Sequence, residues 1–173
     1  MVRYNVPPIF NLINLRVILC LALLSLGASV ASAAVRVGDV APRMTLTDMK
    51  GIPFVIPDGI RGKVAIILFW TAGCSSCKED MPALDALYRE YRRKGLIVIA
   101  INTGQSPENV RAALTGLGVS YPVLLDQQNK SVGSYDVIGV PRIFILDRNS
   151  TIRLKIVGST PRETIRKSIQ SLF

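Results

Sequence analysis

Residues 64–77 run Val64-Ala65-Ile66-Ile67-Leu68-Phe69-Trp70-Thr71-Ala72-Gly73-Cys74-Ser75-Ser76-Cys77. Seven apolar residues without alternation predict a strand buried on both faces. Past Gly73 the pattern changes. Cys77, Met81, Leu84, Tyr88 and Tyr91 recur with a helical period, while Lys78, Glu79, Asp85, Arg89, Glu90, Arg92 and Arg93 line the other side and Gly95 ends the run. Pro82 falls inside this helix and predicts a kink, because it lacks an N–H and crowds the carbonyl one turn back. A second unbroken apolar run, residues 96–101, follows at once. Strand, helix and strand then form a βαβ unit with parallel strands.

The remaining elements lie on either side of this unit. Ser106 and Pro107 predict a helix start, with Val110, Ala113 and Leu114 inward and a stop at Gly116 or Gly118. A short strand at 121–125 and a weak helical piece at 130–135 come next. Residues 140–147 and 151–157 read as a hairpin about Arg148-Asn149-Ser150. Thr160-Pro161-Arg162-Glu163 reads as a capping box opening a last helix, with Ile165, Ile169 and Leu172 inward. Residues 44–47 and 54–56 supply short edge strands. The fold class is α/β: a central mixed β-sheet flanked by helices.

The chain has 173 residues and a formal net charge of +9, with three cysteines and no histidine. Without histidine, Ser-His-Asp and Cys-His catalysts and histidine-ligated copper or haem sites are excluded. Two cysteines in the folded part do not complete a four-ligand structural zinc site, so no metal and no cofactor is expected. No acidic residue precedes Asp39. Arg16, an apolar run from Val17, and Ala31-Ser32-Ala33 describe a secretory signal peptide over residues 1–33, cut after Ala33. The alternative is an uncleaved membrane anchor through residues 17–34, long enough to span a bilayer. Either way the folded domain, residues 34–173, lies outside the cytoplasm, in the periplasm or on the outer face of the membrane, where disulfides persist. Removing Arg3 and Arg16 with the leader leaves +7. The basic cluster Arg89, Arg92, Arg93 and Lys94 sits at a helix C-terminus and has no interleaved aromatics, so no nucleic acid is expected as a partner.

The CxxC lies where a buried strand hands over to a helix. Cys74 at the helix N-terminus meets unpaired N–H groups and the positive end of the dipole, which favour thiolate, the nucleophilic form. Cys77, one turn in on the apolar face, is shielded. Cys74 is therefore expected to attack a partner's sulfur and Cys77 to resolve the mixed disulfide. A purely structural disulfide is the bland alternative, but closing about four residues stabilises by only about 1.9 kcal/mol, against about 3 kcal/mol for fifteen. A domain of this size hardly needs it.

The segment Phe69-Trp70, Cys74-x-x-Cys77-Lys78, Met81-Pro82 resembles the active-site segment of thioredoxin-like proteins, specifically the exported TlpA/ResA group. Gly139-Val140-Pro141-Arg142-Ile143-Phe144-Ile145-Leu146-Asp147 is similar to that group's cis-proline strand, with Tyr121-Pro122-Val123-Leu124-Leu125-Asp126 upstream. The resemblance covers roughly residues 36–173. It implies a thioredoxin-like fold, a redox-active Cys74–Cys77 disulfide, a cis Val140–Pro141 bond beside it, and supporting roles for Trp70 and Pro141. Asp80 stands where the group carries a glutamate that tunes the cysteine pair; its plain alternative is a first-turn acid offsetting the helix dipole. Two departures stand out: Gly73 replaces an aromatic or polar residue, and Arg142 replaces a threonine. Arg142 is read either as a cation acting on Cys74 or on an acidic partner, or as a solvated strand end. By resemblance the activity is thiol–disulfide exchange, run as a reductant. Its client would be an exported disulfide protein such as apocytochrome c, and its electron donor a membrane thiol reductase of the CcdA/DsbD type. A thiol peroxidase is a second reading, weakened because Ile67 occupies the proline position of the Pro-x-x-x-Thr-x-x-Cys motif while Thr71 matches its threonine. Copper delivery on the same fold is a third, lacking the histidine it needs.

Overall fold

A computed structural model describes residues 34–173. The leader or anchor expected over residues 1–33, and Cys20 with it, lies outside the described residues. Strands β1 (Met44–Asp48), β2 (Pro53–Ile56), β3 (Val64–Trp70), β4 (Leu96–Thr103), β5 (Val123–Asp126), β6 (Arg142–Leu146) and β7 (Ile152–Val157) make one sheet in the order β2-β1-β5-β4-β3-β6-β7. β3 pairs in parallel with β4, and β4 with β5, while β1, β2, β6 and β7 pair antiparallel on either side, with β2 and β7 at the edges. Helices α1 (Ser75–Tyr91), α2 (Pro107–Leu114), α3 (Lys130–Ser134) and α4 (Arg162–Gln170) complete it. This is the thioredoxin-like architecture expected from the motifs.

Every residue of β3 and β4 is buried, and alternation splits their side chains between two cores. Ile66, Leu68, Trp70, Val98, Ala100, Ile143 and Ile145 pack with Cys77, Met81 and Leu84 of α1 and with Ile165 and Ile169 of α4. Ile67, Phe69, Ile99, Phe144 and Leu146 face the other way, onto Val35, Ile56, Ile60 and Tyr135. Each such side chain contributes about 1.5–3 kcal/mol by leaving water, so the two central strands are the stiffest part of the molecule. The cysteines follow directly on one of them.

Pro82 lies inside α1, which runs from Ser75 to Tyr91, while several other expectations are corrected. Pro82 is exposed, so the Lys78 carbonyl left without its N–H partner can turn to water. A short 3-10 turn, Arg92–Lys94, follows, and Gly95 (φ 100°) stops it in a backbone conformation that suits glycine. Asp85, read from its spacing as surface, is 4% exposed; it accepts the Ser120 N–H (2.6 Å), the Ser120 hydroxyl (2.8 Å) and Arg89 Nε (2.5 Å). The capping box does not form. α4 starts at Arg162 with Pro161 as its cap residue and no side-chain cap bond, and Glu163 pairs with Arg166 instead (3.2 Å). α2 stops at Leu114, before both candidate glycines. β1 is not an edge strand, since it lies between β2 and β5.

Candidate active site

β3 ends at Trp70 and α1 begins at Ser75, so Cys74 is the N-cap residue, extended at φ −85° and ψ 102°. Cys74 and Cys77 are joined as a disulfide. The Cys77 N–H donates to Cys74 Sγ at 3.1 Å, and the Ser76 hydroxyl lies 3.5 Å from the same sulfur. Cys77 is fully buried, in the core under α1, whereas Cys74 is half-buried. Burial and the helix N-terminus thus separate the two sulfurs: Cys74 at the N-cap is the more accessible, and Cys77 is enclosed. Gly73 is exposed and a Cβ there would meet nothing within 4 Å, so bare backbone stands in front of that sulfur.

The antiparallel register of β3 on β6 sets Phe69 opposite Arg142, which brings Pro141 alongside the end of β3. The Val140–Pro141 bond is cis, as is Ile56–Pro57. Pro141 is buried and its carbonyl accepts the Gly158 N–H at 2.9 Å; Gly158 holds φ 80° at the turn out of β7. One residue on, the Ser159 hydroxyl donates to Asp80 Oδ1 at 2.6 Å. The Asp80 Oδ2 atom is buried without a partner. Cys77 and Asp80, three apart on α1, share one helix face. A cleft of about 310 Å³ lined by Asp80, Ser159, Thr160 and Pro161 opens there.

Trp70 is fully buried in the core under α1, its indole N–H unpartnered. Arg142 is not the solvated strand end of one reading, because it is only 8% exposed. Alternation along β6 turns it to the sheet face of Phe144, away from α1. Its Nη2 donates to the Asp136 carbonyl at 3.4 Å, its Nε has no partner, and among the described residues it forms no ion pair.

Motif reading missed Gln105. Its Oε1 accepts the Ala72 N–H at 2.6 Å and Asn102 Nδ2 at 2.9 Å. The available signal was a switch from apolar to polar residues, Asn102-Thr103-Gly104-Gln105, at the end of a fully buried strand. Ala72, Lys78, Gln105, Asn109, Ala112 and Ala113 line a second cleft of about 340 Å³ on this side of α1. A larger cleft, about 610 Å³, lies between Met49, Tyr88, Leu114 and Tyr121, and neither cysteine lines it.

A CxxC at a strand-to-helix junction, its first cysteine half-buried and its second buried, with a cis proline beside the neighbouring strand, defines a thioredoxin-like thiol–disulfide oxidoreductase of the ResA/DsbE type. Residues 37–155 match the family model of the AhpC/TSA family, and the chain belongs to that family. It is 30% identical to the thiol-disulfide oxidoreductase ResA of Geobacillus thermodenitrificans, over 94% of this chain and 96% of that protein. To the ResA of Geobacillus kaustophilus it is 32% identical, over 80% of this chain and 79% of that one. Among solved structures, a candidate thiol:disulfide interchange protein DsbE from Chlorobium tepidum superposes with a TM-score of 0.76 at 26% identity, covering 80% of this chain and 99% of that one. A thiol:disulfide interchange protein from a Bacteroides species gives 0.69 at 27%, covering 80% and 93%.

Proposed function

We propose that the protein is an exported reductant of disulfides in other exported proteins, with apocytochrome c as a client class. Cys74 attacks the client disulfide, and Cys77 then displaces the reduced client and closes the intramolecular disulfide, so two electrons pass from the CxxC to the client. A membrane thiol reductase of the CcdA/DsbD type restores the dithiol. The observation that carries this reading is the asymmetry of the two sulfurs: Cys74 half-buried at the N-cap, Cys77 fully buried beneath it. In this reading Asp80 exchanges a proton with the Cys77 side of the pair; its position three residues after Cys77 on one helix face, with one oxygen held by Ser159 and the other buried, supports it. Trp70 and Pro141, both buried, support the pair from beneath, and the N-terminal segment carries the domain out of the cytoplasm.

The AhpC/TSA family name also covers peroxidases, which makes a thiol peroxidase the competing reading. Ile67 in place of the motif's proline argues against it. Insulin reduction and peroxide consumption, measured side by side with dithiothreitol as electron source, separate the two. The proposal expects insulin to be reduced and peroxide turnover to stay at background. Rapid peroxide turnover with no insulin reduction would contradict it. Reduction of an oxidised CxxCH peptide tests the client class, and cell fractionation tests export.

A further inference from the structure

The turn between β3 and α1, residues 71–74, carries the attacking sulfur, yet the sheet ladder stops at its start. Inside it the Cys74 N–H donates back to the Thr71 carbonyl at 3.1 Å. The Ala72 N–H instead points across to the Gln105 side chain, 33 residues away, and donates to it at 2.6 Å. The parallel pairing of β3 with β4 sets Trp70 opposite Asn102, so both chains leave the sheet together and one side chain suffices to bridge them. Gln105 Oε1 also takes Asn102 Nδ2 at 2.9 Å, and Asn102 is 0% exposed in the core. An N–H can only donate, so the Ala72 contact itself fixes which end of the Gln105 amide faces inward. The resulting chain, Asn102 to Gln105 to Ala72, fastens the cysteine turn to the end of a strand buried along its whole length.

The geometry points to Gln105 as a positioning residue for Cys74. It touches neither sulfur. It fixes the turn so that Cys74 sits extended at the N-cap, with its Sγ facing the first-turn N–H groups that stabilise a thiolate. Without the acceptor, Ala72 and Asn102 each keep a donor with no partner, the turn loosens, and the thiolate loses part of that stabilisation. This inference rests on Cys74 being the attacking thiol.

The test is the alkylation rate of Cys74 in the reduced protein as a function of pH, at low and high salt, for wild type, Gln105→Leu and Gln105→Glu. Leucine keeps the bulk and removes the acceptor; glutamate keeps the acceptor and adds a charge. Gln105→Leu is expected to shift the profile to higher pH and lower the rate at neutral pH about three- to tenfold, equally at both salt concentrations. Gln105→Glu is expected to raise the profile at low salt only, because its effect is Coulombic and screened. Amide exchange in the unmodified protein supplies a measurement independent of either variant's folding: the Ala72 N–H should exchange well below the rate of the exposed Gly73 N–H. A Gln105→Leu profile superposing on wild type, salt-insensitive shifts of equal size in both variants, or an Ala72 amide exchanging as fast as that of Gly73 would overturn the proposal. Adducts on Cys77 in the wild type would instead refute the role assigned to Cys74.

Discussion

The Ser159 hydroxyl donates to Asp80 Oδ1 at 2.6 Å, joining the segment after β7 to the second turn of the cysteine helix. The preceding residue, Gly158, donates its N–H to the Pro141 carbonyl. Two consecutive residues therefore fasten the Pro141 strand and the Asp80 carboxylate to one another.

Asp80→Asn should lower the apparent pKa of the thiol pair. A carboxylate near the buried thiol opposes a second negative charge, so its removal eases thiolate formation, by a few tenths to about one pKa unit. Thiolate absorbance against pH measures the shift. Superposable curves would reduce Asp80 to a surface acid without a part in the site.

Asp85→Ala should destabilise the fold by about 2–3 kcal/mol, because the Ser120 N–H, the Ser120 hydroxyl and Arg89 lose their common acceptor. Asp85 joins α1 to the loop before β5, away from the cysteines. Urea denaturation should show the loss in midpoint, while insulin reduction by the folded variant stays within about twofold of wild type.

Asp147 gives the β6–β7 turn an acid-sensitive anchor. Burial raises its carboxyl pKa, but the Thr151 N–H, the Arg153 guanidinium and the Asn149 N–H outweigh burial and hold it below the usual value. A folded pKa below the unfolded value of about 3.9 makes the contribution fully present at neutral pH, lost as pH falls through the unfolded value towards the folded one. Asp147→Asn should therefore cost about 1–2 kcal/mol at pH 7 and show a shallower loss of stability between about pH 4 and pH 2 than wild type. Equal slopes in the two proteins would contradict the assignment.

What could be read from the sequence was whatever depends on local pattern. Unbroken apolar runs located β3 and β4, the 3.6-residue period located α1, and Ser106-Pro107 located the start of α2, where Ser106 does accept the Asn109 N–H. The CxxC at the strand-to-helix junction located the reacting pair. What escaped depends on contacts across the fold. Asp85 looks like any polar-face residue until Ser120, 35 positions later, folds against it. Thr160 has the letters of a cap, but the helix begins one residue too late to use it. Arg142 reads as a strand end, yet β7 and the residues from Asp136 enclose it. Gln105 carries no motif, and its role exists only because parallel pairing brings two strand ends together.

The division of labour between the two sulfurs is tested most directly by trapping. Reduced Cys77→Ser and Cys74→Ser variants are each mixed with a protein bearing an accessible disulfide, and mixed disulfides are resolved on non-reducing gels. Cys77→Ser should accumulate a dithiothreitol-sensitive covalent complex through Cys74, because the thiol that would resolve it is gone, while Cys74→Ser should give none. A complex formed by Cys74→Ser and not by Cys77→Ser would contradict the account.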